Sequence, residues 1–186
     1  GGTAIDLLVS GAAELATPEG SSPKTGAALG ALRVLRGGAV AVDAGRFVAV
    51  GPEAELRTLF APRRVLDARG GTLVPGFVDA HTHPVFAGTR EDEFEQRTRG
   101  ASYVEIAAAG GGILSSARGV RSASEEELLA LLLVRLDRFL ELGTTTVEAK
   151  SGYGLSLEAE LKSLEVIARA RRAHPVAVVG MGLREK

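Results

Sequence analysis

Short apolar runs separated by polar and turn-forming residues occupy the first part of the chain, a pattern consistent with β-strands. Residues 5–16 open with such a run. Two further runs, residues 39–42 and 47–50, flank the polar segment 43–46, in which Gly45 is suited to a left-handed turn. This segment predicts a β-hairpin.

The same part of the chain contains stretches that interrupt the strand pattern. Residues 17–31 are rich in Gly, Pro and Ser, which predicts an exposed loop. A short helix is predicted over residues 53–60, and residues 65–67 and 72–74 predict two more strands. We therefore predict a β-rich subdomain over residues 1–74, in which no residue pattern indicates chemistry.

Beyond Pro75 the strand-length runs are separated by longer runs at helical spacing. Residues 76–80 predict a strand that enters a long loop. Ser124 and Glu127 have the spacing of a capping box, and the apolar residues 128–142 after them predict a helix. This grouping marks a change from a β-rich to a mixed α/β organisation.

The remaining residues repeat that organisation. A β-branched run over residues 144–149 predicts a second strand, and residues 176–179 begin a third. Between them, Ser156 starts a helix with four apolar residues on one face: Leu157, Leu161, Leu164 and Ala168. Alternating strands and helices imply right-handed crossovers and a parallel sheet. We therefore predict an α/β domain over residues 75–186.

Composition and charge narrow the functional classes. The 186 residues carry a net charge of −1 without a long basic block, which argues against a nucleic acid or an anionic membrane as partner. Cysteine is absent, so a metal site would have to use histidine and carboxylate ligands, as zinc and other first-row divalent ions accept. The sequence shows neither a secretory leader nor a membrane span, and a cytoplasmic location is expected.

The segment Asp79-Ala80-His81-Thr82-His83 is the strongest indication of chemistry. Side chains alternate along a strand, so the two histidines share a face, about 7 Å apart by the strand rise. At the carboxyl end of a parallel strand, two imidazoles on one face can chelate a metal ion, and Asp79 would share that face as support. The alternative is a pair of solvent-facing histidines in a turn.

Four segments carry a resemblance to a known family. Residues 73–83, LVPGFVDAHTH, resemble the first barrel strand of the amidohydrolase superfamily, and residues 83–90, 110–115 and 145–154 are similar to the imidazolonepropionase family. The resemblance implies an α/β fold: an incomplete (β/α)8 TIM-like barrel, first strands only, preceded by a small β-sandwich subdomain. Residues 1–74 would form the N-terminal part of a composite sandwich, and residues 75–186 the first portion of the barrel.

The resemblance also implies a reaction. Members of the family open the ring of 4-imidazolone-5-propanoate to N-formimino-L-glutamate in histidine degradation, using one divalent metal, zinc or iron. By this resemblance His81 and His83 are metal ligands, Arg90 holds the substrate's propionate, and Tyr153 contacts the substrate. A planar guanidinium suits the propionate because it can grip a carboxylate through two hydrogen bonds.

Each of the other candidate residues has an ordinary alternative. Without the resemblance, Arg90 would be a surface arginine and Tyr153 a loop aromatic over apolar surface. Lys150 ends the second strand, where a structural or substrate-side role is expected. Residues 110–112, three glycines, predict a flexible loop or backbone donors to an anion. His174 is predicted to be a surface residue near a helix C-terminus.

The resemblance accounts for only part of such an enzyme. The family's third metal histidine, metal-binding aspartate and acid–base carboxylate come from later strands, and a (β/α)8 barrel takes about 250 residues. Residues 180–186 depart from the family's continuation after the third strand. We therefore expect this chain to be an incomplete portion without hydrolase activity of its own, and no residue in it is assigned as catalytic.

Two other functions remain open on the sequence. One is another cyclic-amide hydrolase or deaminase of the same superfamily, which would share the two histidines without needing Arg90 or Tyr153. The other is a non-catalytic fragment. The expected partner is the small-molecule substrate, with no nucleic acid and no membrane; homodimer formation by the full-length protein is left open.

Overall fold

The computed structural model describes residues 1–20 and 23–182. The chain divides into two compact units, Gly1–Pro75 and Gly76–Lys186. The last four residues of the segment 180–186, which departs from the family's pattern, lie outside the described residues. Within the described ranges, no helix combines the length and hydropathy needed to cross a bilayer.

The first unit is mostly β-structure. Its elements are β1 (Thr3–Ser10), β2 (Glu14–Pro18), a 3-10 helix (Gly26–Gly30), β3 (Leu32–Arg36), β4 (Gly38–Asp43), β5 (Arg46–Pro52), α1 (Glu53–Leu59), β6 (Phe60–Asp67) and β7 (Thr72–Leu73). One sheet has the order β5-β4-β1-β6, and a second has the order β3-β2-β7. β6 runs parallel to β1, and a small apolar core includes Ile5, Leu8, Ala39, Ala41 and Leu56.

The predicted hairpin is confirmed. β4 and β5 pair antiparallel with Val40 opposite Val50, and the turn between them has positive φ at Ala44 (48°) and Gly45 (73°). Positive φ at both central residues matches the right-handed twist of the flanking strands. The predicted loop over residues 17–31 is interrupted, because β2 extends to Pro18 and a 3-10 helix covers Gly26–Gly30.

The second unit combines a parallel sheet with helices. Its elements are β8 (Phe77–Thr82), α2 (Glu91–Thr98), α3 (Tyr103–Ala108), α4 (Ile113–Ser122), α5 (Glu125–Glu141), β9 (Thr144–Lys150), α6 (Leu157–Ala173) and β10 (Ala177–Met181). The sheet order is β10-β9-β8, and both strand pairs are parallel. The predicted alternation of three strands with two long helices, α5 and α6, is confirmed. The long loop predicted after the first strand is wrong, because the segment between β8 and α5 contains three helices, α2, α3 and α4.

Helix α5 begins and packs as its sequence indicates. Ser124 and Glu127 form a complete capping box: the Ser124 hydroxyl accepts from the Glu127 N–H, and the Glu127 carboxylate accepts from the Ser124 N–H. The buried face of α5 carries Leu128, Leu132 and Leu136, which belong to the same core as the buried residues of β9. This core lies behind the strands and holds the sheet in place.

Helix α6 buries a face that only partly overlaps the predicted one, since Leu164 packs against the core of the second unit but the other two leucines do not. Its buried residues are Ala159, Ser163, Val166, Ile167 and Ala170. Leu157 and Leu161 are 75% and 55% exposed. Small and β-branched side chains allow α6 to approach α5 and β10 closely, whereas the spacing of the leucines identifies an apolar face without fixing what covers it.

Candidate functional site

The two histidines of the H-x-H segment project from the carboxyl end of β8. Their ring centroids are 5.4 Å apart, with 67° between the ring planes. Nδ1 of His83 is buried and has no hydrogen-bond partner among the described residues. Leaving a buried polar nitrogen unpaired costs free energy, on the order of 1–3 kcal/mol, unless something outside the chain satisfies it. A partner outside the described residues would remove this cost at Nδ1 of His83.

The strand end that carries these rings is fixed to its surroundings by two hydrogen bonds. The Asp79 carboxylate accepts from the backbone N–H of His81 at 3.2 Å, and the Thr82 hydroxyl donates to the carbonyl of Glu148 at 2.6 Å. β8 carries one residue more than β9 between Asp79 and Thr82. This bulge interrupts the alternation that placed Asp79 on the histidines' face, and its carboxylate supports the backbone of His81.

Tyr153 lies beside the histidine pair. Its ring centroid is 5.3 Å from that of His83, with 32° between the planes, and 6.3 Å from that of Phe86 in an edge-on arrangement. Tyr153 also packs, partly buried, against the apolar core of the second unit. The structure thus brings His81, His83 and Tyr153 together, while the apolar packing expected of an ordinary loop aromatic is present as well.

Arg90 stands at the N-terminus of α2 and binds a carboxylate of its own chain. Its Nε and Nη2 donate to Glu93 Oε2 at 2.8 and 2.6 Å. This hydrogen-bonded pairing holds the pKa of Glu93 below its ordinary value and is the main cause of a raised pKa at Arg90. Smaller electrostatic effects of Tyr103 and Tyr153 also raise the pKa of Arg90. Both partners therefore stay charged at neutral pH.

The glycine run 110–112 also binds the Glu93 carboxylate. The backbone N–H of Gly112 donates to Glu93 Oε1 at 2.9 Å, and Gly112 is the N-cap of α4. The backbone donors expected for an anion are thus used, in part, by the protein's own Glu93.

Lys150 likewise has an internal partner, since its Nζ lies 3.1 Å from Glu148 Oε1 in a mostly buried ion pair.

The expectation for His174 is wrong. Its side chain is only 6% exposed, and its Nε2 lies 3.1 Å from Asp137 Oδ1. The backbone N–H of Val176 donates to its Nδ1 at 3.1 Å. His174 follows the end of α6, where the chain turns into β10, so the ring is covered and both nitrogens are occupied within the fold.

Arg135 was not predicted from the sequence to have a role, although it binds the loop that directly follows His83. Its Nη1 donates to the carbonyls of Pro84 and Phe86, each at 2.8 Å, and its guanidinium lies 3.4 Å from the centroid of the Phe86 ring. Burial lowers its pKa from the ordinary arginine value. The available indication in the sequence was an arginine between the apolar residues Val134 and Leu136 of α5.

Replacing Arg135 by methionine tests that role. Arg135→Met keeps an apolar stem but leaves two carbonyls without their donor, so we expect the free energy of unfolding to fall by about 1–3 kcal/mol. Urea titration followed by circular dichroism measures the change. The control is Arg138→Met, which removes an exposed pair with Glu141 and should cost less than about 1 kcal/mol. Equal losses in the two variants would contradict a specific role for Arg135.

Among the described residues, no group of three or more histidine, cysteine or acidic side chains is arranged to hold a metal ion. His81 and His83 nevertheless fit a divalent cation by donor type, because neutral imidazole nitrogens are ordinary ligands of zinc and iron. The described part of the chain therefore places two imidazole rings close together, with a type of donor that such ions accept.

The chain shares its fold with parts of larger enzymes of known structure. E. coli guanine deaminase matches the chain with a TM-score of 0.63 at 19% identity, over 93% of this chain and 36% of that one. A. niger ochratoxinase matches with a TM-score of 0.54 at 18% identity, over 95% of this chain and 30% of that one. At such identities the likeness concerns the fold alone.

Comparison of sequences identifies more specific relatives than comparison of folds does. Residues 38–60 match the family model "Imidazolonepropionase-like composite domain, bacteria". The imidazolonepropionase of Symbiobacterium thermophilum is 54% identical over 178 residues, which cover 94% of this chain and 42% of the relative. That of Myxococcus xanthus is 50% identical over 177 residues, with the same two coverages. The chain is thus similar in sequence to imidazolonepropionases over almost its whole length, and it spans about two-fifths of the length of these curated relatives.

Proposed function

We propose that the chain contributes metal and substrate ligands to a hydrolase of the imidazolonepropionase type. The reaction would open a cyclic amide C–N bond, converting 4-imidazolone-5-propanoate to N-formimino-L-glutamate in histidine degradation with one zinc or iron ion. The observation that carries this proposal is the close approach of His81 and His83 at the carboxyl end of a parallel sheet, with a buried, unpaired nitrogen on His83. It occurs in a chain 54% identical to an imidazolonepropionase over almost its whole length.

The architecture proposed for the two units follows from the same relationship. Residues 1–74 would supply the N-terminal part of a composite β-sandwich, which the two sheets of the first unit support. Residues 75–186 would supply the first three strands of a (β/α)8 barrel, which the parallel order β10-β9-β8 supports. Ligands bind at the carboxyl ends of barrel strands, where His81, His83 and Tyr153 lie.

In this proposal the chain's residues bind and orient. His81 and His83 would hold the cation, which supplies Lewis-acid chemistry when bound. Arg90 would receive the propionate: Nε and Nη2 bind Glu93, and Nη1 makes no hydrogen bond to the described residues. Tyr153, whose ring lies 5.3 Å from that of His83 and 6.3 Å from that of Phe86, would contact the substrate beside the cation.

We further propose that the chain by itself does not turn over the substrate. Two imidazoles supply only two of the four ligands of a tetrahedral zinc ion, and catalytic zinc sites use three protein ligands. We expect the purified chain with added Zn²⁺ or Fe²⁺ to show no ring opening when absorbance of the imidazolone is followed. Metal-dependent turnover by the isolated chain would contradict this.

A chimera tests the proposed activity. Replacing the aligned 178 residues of the Symbiobacterium thermophilum relative by this chain should give a protein that hydrolyses 4-imidazolone-5-propanoate. In that chimera, Arg90→Ala should raise KM by roughly 10- to 100-fold, because it removes a charge-assisted hydrogen bond worth about 1.5–3 kcal/mol.

The control for this test is Arg99→Ala in the same chimera. Arg99 pairs with Glu95 on the exposed side of α2, so its loss should leave KM unchanged. A KM that does not respond to Arg90→Ala, with activity retained, would favour another cyclic-amide hydrolase or deaminase. A well-folded chimera without activity would contradict the proposed function itself.

A further inference from the structure

Two charged side chains form hydrogen bonds with the backbone of the loop that carries Tyr153, residues 151–156 between β9 and α6. Oε1 of Glu160 accepts from the backbone N–H groups of Gly154 and Leu155, at 2.8 and 2.9 Å. From the other side, Arg121 donates to their carbonyls, through Nε to Gly154 at 2.7 Å and through Nη2 to Leu155 at 2.6 Å. Every polar backbone group of these two residues is therefore held by one of two side chains.

The backbone bound by Arg121 and Glu160 has an energetically unfavourable conformation at Leu155. Leu155 has φ of +51°, a region that a branched side chain adopts at a cost of order 1–3 kcal/mol. A Cβ on Gly154 would lie 2.7 Å from the backbone carbon of Ala159, so the loop runs directly against the first turn of α6. The four hydrogen bonds stabilise this backbone conformation of Gly154 and Leu155. Because Tyr153 directly precedes Gly154, the same hydrogen bonds help to fix the position of Tyr153.

Ordinary helix capping does not account for the arrangement. α6 already has an N-cap, because the Ser156 hydroxyl accepts from the N–H of Ala159. The N–H groups that Glu160 binds precede the helix, so they are not among the unpaired donors of its first turn. Arg121 belongs to α4, so the loop is tied to a second helix as well. That helix end is anchored to α6 in turn, since Lys162 Nζ donates to the carbonyls of Arg121 and Ala123.

We propose that Arg121 and Glu160 are positioning residues that hold the Tyr153 ring against His83. Their hydrogen bonds are to the backbone of the two residues that follow Tyr153, and the Tyr153 ring lies 5.3 Å from that of His83. The assignment of Tyr153 to substrate binding rests on the proposed function, but the positioning itself does not.

Imidazole NMR of the whole chain tests this positioning. The chain has three histidines, so each ring can be resolved, and the tyrosine ring shifts the signals of a neighbouring imidazole. We expect Glu160→Ala to move the His83 signals toward their positions in Tyr153→Leu, which lacks the ring. His174, paired with Asp137 away from the loop, should stay in place and report an intact fold.

Two further variants separate positioning from general stability. Glu160→Gln keeps an oxygen acceptor for both N–H groups and should retain the wild-type His83 signals. Glu158→Ala removes the same charge from the first turn of α6 without touching the loop, and it should also leave His83 unchanged. If Glu160→Ala does not fold, Arg121→Met removes the two carbonyl bonds and should move the His83 signals in the same direction.

The proposal is overturned if a folded Glu160→Ala or Arg121→Met chain keeps the wild-type His83 signals. It is also overturned if Glu158→Ala shifts His83 as much as Glu160→Ala does. A separate arm addresses function: in the chimera described above, Glu160→Ala should raise KM for 4-imidazolone-5-propanoate as Tyr153→Leu does. A moved His83 signal with an unchanged KM supports positioning and counts against substrate binding by Tyr153.

Discussion

Replacing His83 by alanine is expected to weaken Zn²⁺ binding by the chain at least about tenfold. Loss of a mere outer-shell partner costs roughly 10- to 100-fold in metal affinity, and loss of a direct ligand should cost no less. The expected reason is the loss of chelation: two imidazoles with ring centroids 5.4 Å apart can share one ion, whereas His81 alone cannot. Titration with Zn²⁺, followed by the imidazole signal of His81, measures the affinity.

His174→Ala provides the matched control for this titration. His174 is also a largely buried histidine, but both of its nitrogens are engaged within the fold, by Asp137 and by the N–H of Val176. Its removal should leave Zn²⁺ affinity unchanged, and its own signal should not respond to Zn²⁺ in the wild-type chain. Equal affinities of wild type and His83→Ala would show that the pair does not hold the ion.

Leu132→Ala is expected to reduce the free energy of unfolding of the second unit by about 2–5 kcal/mol. Leu132 is completely buried in α5, within the core that includes Val147 of β9 and Val166 of α6. Truncation loses the apolar burial and leaves a cavity that close-packed neighbours fill only in part. Because small domains are stable by only about 5–15 kcal/mol, a loss of this size is easily measured.

Chemical denaturation monitored by circular dichroism gives the size of this loss. Val134→Ala is the control, two residues away on the same helix but 67% exposed. Its effect should stay within about 0.5 kcal/mol, as for surface substitutions generally. A comparable loss in both variants would mean that α5 does not pack as the structure shows.

Much of the local structure could be predicted from the sequence, because it depends on neighbours in the chain. The turn at Gly45 is set by which residues tolerate positive φ, and the start of α5 by the spacing of Ser124 and Glu127. The short distance between the His81 and His83 rings agrees with their separation of two residues at the end of one strand, although the bulge in β8 interrupts the regular alternation there. Each of these features involves a few consecutive residues.

Other features join residues far apart in sequence, and these could not be predicted. Arg135 binds the carbonyl of Pro84, 51 residues away, and the Glu93 carboxylate receives the N–H of Gly112. His174 was misplaced because its partner Asp137 belongs to another helix. Hydrogen bonds of this kind depend on how helices pack on the sheet, which hydrophobic periodicity does not specify.

By itself the sequence determined the alternation of strands with α5 and α6, the hairpin, the starts of those two helices, the closeness of the two histidines and the resemblance to a family, because each is a property of local pattern. Only the tertiary structure decided which face of α6 is buried, where Tyr153 lies relative to His83, and which charges already have partners within the fold. The physical reason is that close packing and burial select among the contacts that a local pattern permits, and that selection requires all the packed elements at once.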